Sequence, residues 1–282
     1  MTIATTTVGH PLDERHGSGR LVGLVHNVVV LTRRNLIHIA REPMQLSDVT
    51  IQPVLFTLLF IWVLGSGVQI PGGYKEFAIA GLLLLNLTTS SMGSAVGLAT
   101  DLSTGVIDRF RALPMWRAAV LVGRSIADLI TAVIAVAVVL VTGFALGWRP
   151  HASAGSVLAG LLLPLLFTYG LSWACACLGI VSKGPESGAS VGLIVLFPLA
   201  IVSNAMVPTQ HMPGWLRQVA DWNPVSAVTA AVRHLLGNPN PSASIHVWPM
   251  QHPVVAALIW SVAITALFAP LAAYLYRRRT MG

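Results

Sequence analysis

The stretch DLSTGVIDRFRALP, residues 101–114, holds four of the chain's 27 charged side chains, Asp101, Asp108, Arg109 and Arg111, between two long apolar runs. Charge at that density in a short amphipathic segment suits recognition rather than bond-making. Val106, Phe110 and Leu113 follow at i, i+4 and i+7, so they can act as apolar knobs for a partner's groove. Asp108, Arg109 and Arg111 can then set register and orientation. Asp101 is placed to N-cap such a helix and Pro114 to end it. The same residues also suit a solvated loop whose arginines follow the positive-inside bias, and spacing alone leaves both readings open.

Other chemistries find little material. A phosphate-cradling loop needs Gly-Lys-Ser/Thr, yet Lys75 follows Tyr and Lys183 follows Ser, which excludes ATP binding by that route. Cys175 and Cys177 lie inside an apolar run, which suits small buried hydrophobes better than a metal site or a strained disulfide. No metal site is assigned. All nine histidines fall outside the apolar spans, so an intramembrane enzyme lacks its His/Ser or His/Asp pair. An ion-coupled transporter wants ionisable groups within spans. Asp48, Asp101 and Asp128 map instead to span ends, with Asp128 able to pair with Arg124 one turn earlier.

The elements that must position these residues are membrane helices. The 282-residue chain is 55% hydrophobic and 10% charged, far from the roughly 25% charged typical of soluble domains. No Asp, Glu, Lys or Arg occurs in 49–74, 77–100, 129–148, 150–182, 187–216 or 234–276. Each gap can hold the roughly 20 apolar residues of a crossing helix. Six spans are expected, at about 51–70, 77–99, 119–146, 155–181, 188–206 and 254–276. With both termini cytoplasmic, 13 of the 17 basic residues lie inside, and only Lys75, Arg149, Arg217 and Arg233 lie outside. The expected fold is thus an all-α polytopic protein of a cell inner or plasma membrane. Its net charge of +7 belongs beside anionic lipid rather than nucleic acid.

Residues 1–19 read as a disordered cytoplasmic tail. Residues 20–43 read as an amphipathic interfacial helix, with Leu21, Leu24, Val25, Val28, Leu36 and Ile39 on one side, Arg34, His38 and Arg41 opposite, and Pro43 at its end. Residues 44–282 form the six-span domain, with the partner helix at 101–113. In 207–237, Asn223-Pro224 separates two short apolar helices, a pattern of outer re-entrant elements with Trp215 and Trp222 at headgroup depth; Arg233 belongs to this region. Polar side chains within the spans offer a candidate substrate path: Asn86, Thr88, Thr89, Ser90, Tyr169 with Trp173 at i+4, and Asn204. Helix packing by small and hydroxyl residues explains them equally well.

Three blocks carry a resemblance. GVIDRFRALPMWRAAVLVGRSIADL resembles the cytoplasmic loop and third-span start of ATP-binding-cassette (ABC) type-2 permeases, nearest the daunorubicin/doxorubicin-type drug-efflux group. FPLAIVSNAMVPTQHMPGWLRQVADWNPVSAVTAAVRHLLG resembles their outer re-entrant region. AREPMQLSDVTIQPVLFTLLF is a weaker match at the first span. The resemblance implies that 101–113 is the coupling helix of a transport subunit, docking on a separate ABC ATPase that binds ATP and Mg. It also implies two permease copies, here a homodimer, with two ATPases, and makes Glu186 in the short loop SKGPES a second ATPase contact. The implied function is export of an amphiphilic or hydrophobic substrate, a drug or lipid. Export of a polysaccharide or other polymer is the alternative.

Overall fold

A computed structural model describes residues 28–37, 41, 43–68, 70–104 and 119–281. The expected coupling residues Val106, Asp108, Arg109, Phe110, Arg111 and Leu113 lie outside the described residues, as does the 1–19 tail. The described chain is helical: α1 (28–37), α2 (Pro43–Gly67), α3 (Tyr74–Ser90), α4 (Met92–Ser103), α5 (Ala119–Ala145), α6 (Ala154–Val181), α7 (Pro185–Ile201), α8 (Gly214–Trp222), α9 (Pro224–Leu236) and α10 (Pro253–Met281). Five stretches are long and apolar enough to cross a membrane, α3 and α4 counting as one; α7, with 17 residues, is slightly shorter. All six expected spans have a helical counterpart. Pro53, Pro164, Pro198 and Pro270 sit inside helices, which membrane helices tolerate because neighbours satisfy the freed carbonyls.

Burial ranks the helices. About 72% of the α3–α4 span is covered by protein against 17% for α2 and α10, so α3, α4 and α6 form the centre and α2 and α10 the periphery. The main core joins Ile79, Leu83 and Leu87 of α3 to Phe167 and Leu171 of α6 and Val225, Val228 and Val232 of α9. Gly179 lets α6 lie against α4 backbone to backbone, since a Cβ there would stand 2.4 Å from the Ala95 carbonyl oxygen.

Several expectations change. The second span is broken at Ser91 into α3 and α4. Thr89 Oγ1 donates to the Leu85 carbonyl, and Ser90 and Ser91 Oγ donate to the Leu87 carbonyl. Hydroxyls that bond back along a helix in this way bend it. Asp101 does not cap a new helix at 101; it sits in the last turns of α4, because the helix continues to Ser103. Pro43 opens α2 rather than ending the interfacial helix, as suits a residue without an N–H at a first turn. In α1 the buried side is Leu31, Thr32 and Asn35, while Val29, Val30 and Ile37 are exposed. Leu31 packs against Gly123 of α5 and sets that face. The fifth span ends at Ile201 rather than 206, and Asp128 lies well inside α5, not at its end.

Candidate functional site

Between α1, α2, α4, α5 and the lower end of α3 lies a cavity of about 390 Å³. Asn86, Thr89 and Ser90, three of the residues expected along a substrate path, line it at the Ser91 break. Asp101 and Thr100 line it at the far end of α4, and Val49 and Gln52 lie along α2. Two ion pairs build its wall. Arg34 Nη2 of α1 reaches Asp101 Oδ1 at 2.5 Å, so Arg34, expected on a water-facing side, ties the surface helix to the end of α4. Arg124 Nε meets Asp128 Oδ1 at 3.2 Å within α5. Arg124 Nη2 also donates to the Gly93 carbonyl at 2.5 Å, and Ser94 Oγ donates to Asp128 Oδ2. The guanidinium lies flat on α4 because residue 97 is glycine; a Cβ there would fall 2.0 Å from Arg124 Nη1. Asp101, Asp128 and Arg124 are each about 15% exposed at the side chain, which strengthens their pairing over that of surface ions.

The same wall borders a second, small cavity of about 20 Å³ lined by Tyr169, Thr168 and Ser172 of α6, with Ser90, Asp128 and Thr131 shared between the two. Tyr169 therefore stands one layer behind the large cavity. Its ring meets that of Trp173 edge-on at 6.2 Å, but Trp173 belongs to the core with Leu31, Leu98 and Leu121 and does not line the space. Thr88 is fully buried and lines neither cavity.

Asn204 is at the other end of the molecule, hydrogen-bonded to Ser226 and Arg233 of α9. Arg233 is fully buried. Its Nε donates to the Phe77 carbonyl at 3.1 Å, Nη1 to Asn204 O at 3.0 Å and Nη2 to Ala205 O at 2.8 Å, and its Cζ lies 3.6 Å from the Phe77 ring centroid. An arginine can be held this way without a carboxylate, by dipoles and a π face. Asn223 caps α9 through Val225 N and donates to the Leu199 and Val202 carbonyls where α7 unwinds. Pro224 supplies the first turn and Gly237, at φ +69°, the C-cap. Asn204 Nδ2 donates to Ser242 Oγ. Trp215 and Trp222 project outward, 71% and 55% exposed, the placement of interfacial tryptophans. Glu186 stands exposed in the first turn of α7.

Sequence reasoning therefore names the hydroxyls at one end of the cavity and foresees the Arg124–Asp128 pair, but assigns neither that pair nor Asp48 and Arg34 to a site. The i, i+4 pair Arg124 and Asp128 facing the i, i+4 glycines 93 and 97 was the available signal.

The described residues make a polytopic helical frame with a polar cavity among its helices. The chain belongs to the ABC-2 type transporter family, whose description matches residues 26–236. It is 32% identical over 238 residues to the daunorubicin resistance ABC transporter permease protein DrrB1 of Streptomyces coeruleorubidus, covering 84% of this chain and 81% of that one. The probable doxorubicin resistance ABC transporter permease protein DrrC of Mycobacterium tuberculosis is 26% identical, over 90% and 89% of the two chains. A putative transport permease, ycf38 of Porphyra purpurea, is 24% identical over 76% and 75%. The chain is accordingly a multi-pass membrane permease subunit of an ABC exporter, the kind that works with an ABC ATPase.

Proposed function

We propose that this permease exports an amphiphilic or hydrophobic small molecule, a drug or lipid, across a cell inner or plasma membrane. The observation that carries the reading is the 390 Å³ cavity that lies between the interfacial helix and the second span. Its size suits one drug-sized molecule, and it lies on the same half of the molecule as Asp101. Both termini and segment 101–118 are cytoplasmic in this reading; the Arg233 cluster and the exposed tryptophans face outside. A separate ATPase binds ATP and Mg and docks on 101–113, with Glu186 as a secondary contact. Two copies of the chain and two ATPases make up the transporter. The relatives named for daunorubicin and doxorubicin resistance support a drug as cargo.

The test is reconstitution. Inverted vesicles holding this chain with its cassette ATPase are expected to accumulate a fluorescent amphiphile only when ATP is supplied, while the purified chain alone hydrolyses none. ATP hydrolysis by the isolated chain, or ATP-independent accumulation driven by a proton gradient, overturns the assignment.

A further inference from the structure

The cavity lining has a chemical bias that its composition hides. Among the described residues its ionisable groups are Arg34, Arg124, Asp48, Asp101 and Asp128, two positive against three negative, which leaves one negative charge among them. Both guanidiniums are already engaged by carboxylates, Arg34 by Asp101 and Arg124 by Asp128. Asp48 is the carboxylate left over. It is exposed along the cavity and has no hydrogen-bond or ion-pair partner among the described residues.

The hydroxyls are biased the same way. Thr89 donates to Leu85 O, Ser90 to Leu87 O, Thr100 to Val96 O and Thr131 to Ala127 O. Each proton is turned back into its own helix, so each oxygen faces its surroundings as an acceptor. Asn86, 5% exposed, donates its amide to Leu82 O and keeps its carbonyl oxygen free of any recorded partner. Donors are also present, on the amides of Asn35 and Gln52 and on the Arg124 guanidinium, yet the balance lies with acceptors.

We propose that this cavity binds the headgroup of an amphiphile bearing a protonated amine with N–H bonds, Asp48 serving as counter-ion and the surrounding oxygens as acceptors. The distinction from a general cation site is sharp. A quaternary ammonium carries the same charge but no N–H, so it can pair with Asp48 and leave the oxygens unmatched. A buried acceptor without its donor loses the bond it had in water. The proposal rests on the exporter reading for the amphiphilic character of the ligand, not for the existence of the site.

The probe pair is dodecylamine and dodecyltrimethylammonium, equal in chain and charge. A thiol introduced by Val96→Cys reports occupancy through its rate of maleimide labelling, in lipid nanodiscs holding the full chain with its ATPase. Cys175 and Cys177 are buried and label slowly. Dodecylamine is expected to protect position 96 at a concentration roughly tenfold below that of the quaternary ion, the worth of one charge-assisted hydrogen bond. Asp48→Asn is expected to raise the amine's half-protecting concentration about tenfold as well. Equal protection by both probes reduces the site to a plain cation or apolar pocket and overturns the proposal; so does protection by neither. Should Asp48→Asn fail to insert, the two-probe comparison on the native lining decides alone. Protection is read without ATP, so it stands or falls independently of transport.

Discussion

Arg233 is the residue whose sequence position says least about its role. Its place between apolar stretches assigns it only to the outer 207–237 region; in the fold it is fully buried and serves the carbonyls of Phe77, Asn204 and Ala205. Replacing it by Met keeps length and apolar contact but leaves those carbonyls unmet, so Arg233→Met should destabilise the fold by about 3 kcal/mol or more. Thermal unfolding in detergent reads this directly. Arg233→Lys should recover only part, because an ammonium cannot spread across three acceptors and the Phe77 ring. The glycine beneath Arg124 gives a second test. Gly97→Ala should lower stability in the native chain by displacing the guanidinium. In an Arg124→Ala background the same change should be neutral or stabilising, since alanine is the better helix former by about 1 kcal/mol. Equal effects in both backgrounds would show that the contact carries no coupling.

Among elements, the α8–α9 pair was legible because its signal is local. Asn223-Pro224 declares a helix break and a fresh N-terminus in two residues, and α8 and α9 fall on either side of it. The spans were legible from gaps in charge. What escaped depends on distant partners. Arg34 finds Asp101 across 67 positions, Arg233 finds Phe77 across 156, and no window of neighbouring residues contains either fact. The break at Ser91 lay between: four consecutive hydroxyl residues announce polarity, but only the backbone bonds they form show that the span bends. Asn223 offers the element-scale prediction. Asn223→Ala removes a cap and two bonds to the unwound end of α7, so the loss should be about 2 kcal/mol. Hydrogen exchange at residues 199–206 should rise more than exchange in α6; an unchanged pattern would disprove the strap.

At the scale of the whole molecule, the two ends differ in kind. One is clasped by Arg233 and Asn223; the other holds the ion-paired cavity and runs on through Asp101 into 105–118. If that segment receives the ATPase, Phe110→Ala should weaken docking by about 2 kcal/mol, as for a central apolar anchor. Arg109→Glu should weaken it more at low salt than at high, because rim charges are screened. Co-purification of the ATPase with each variant measures this, with membrane insertion as the control. Retention of ATPase and of stimulated hydrolysis in both would reduce the segment to a charged loop. Impermeant thiol reagents on intact cells test the orientation: positions 109 and 111 should stay unlabelled and position 215 should react.

The bend at Ser91 also has a mechanical meaning. Above it α3 is pinned through Phe77 to the Arg233 cluster, whereas below it α4 lies against α6 at Gly179 and α7 at Gly188 and is tied to α1 and α5 by side chains. If the two halves of the second span move separately, the hydroxyl cluster at the break is the fulcrum. α4 has 12 residues, about 18 Å of arm at 1.5 Å per residue, so a swing of about 10° carries Ser103 through roughly 3 Å. Such a stroke is longer than the reach of either ion pair, and pushing on the chain beyond Ser103 would part Arg34 from Asp101 before it disturbed anything above the fulcrum.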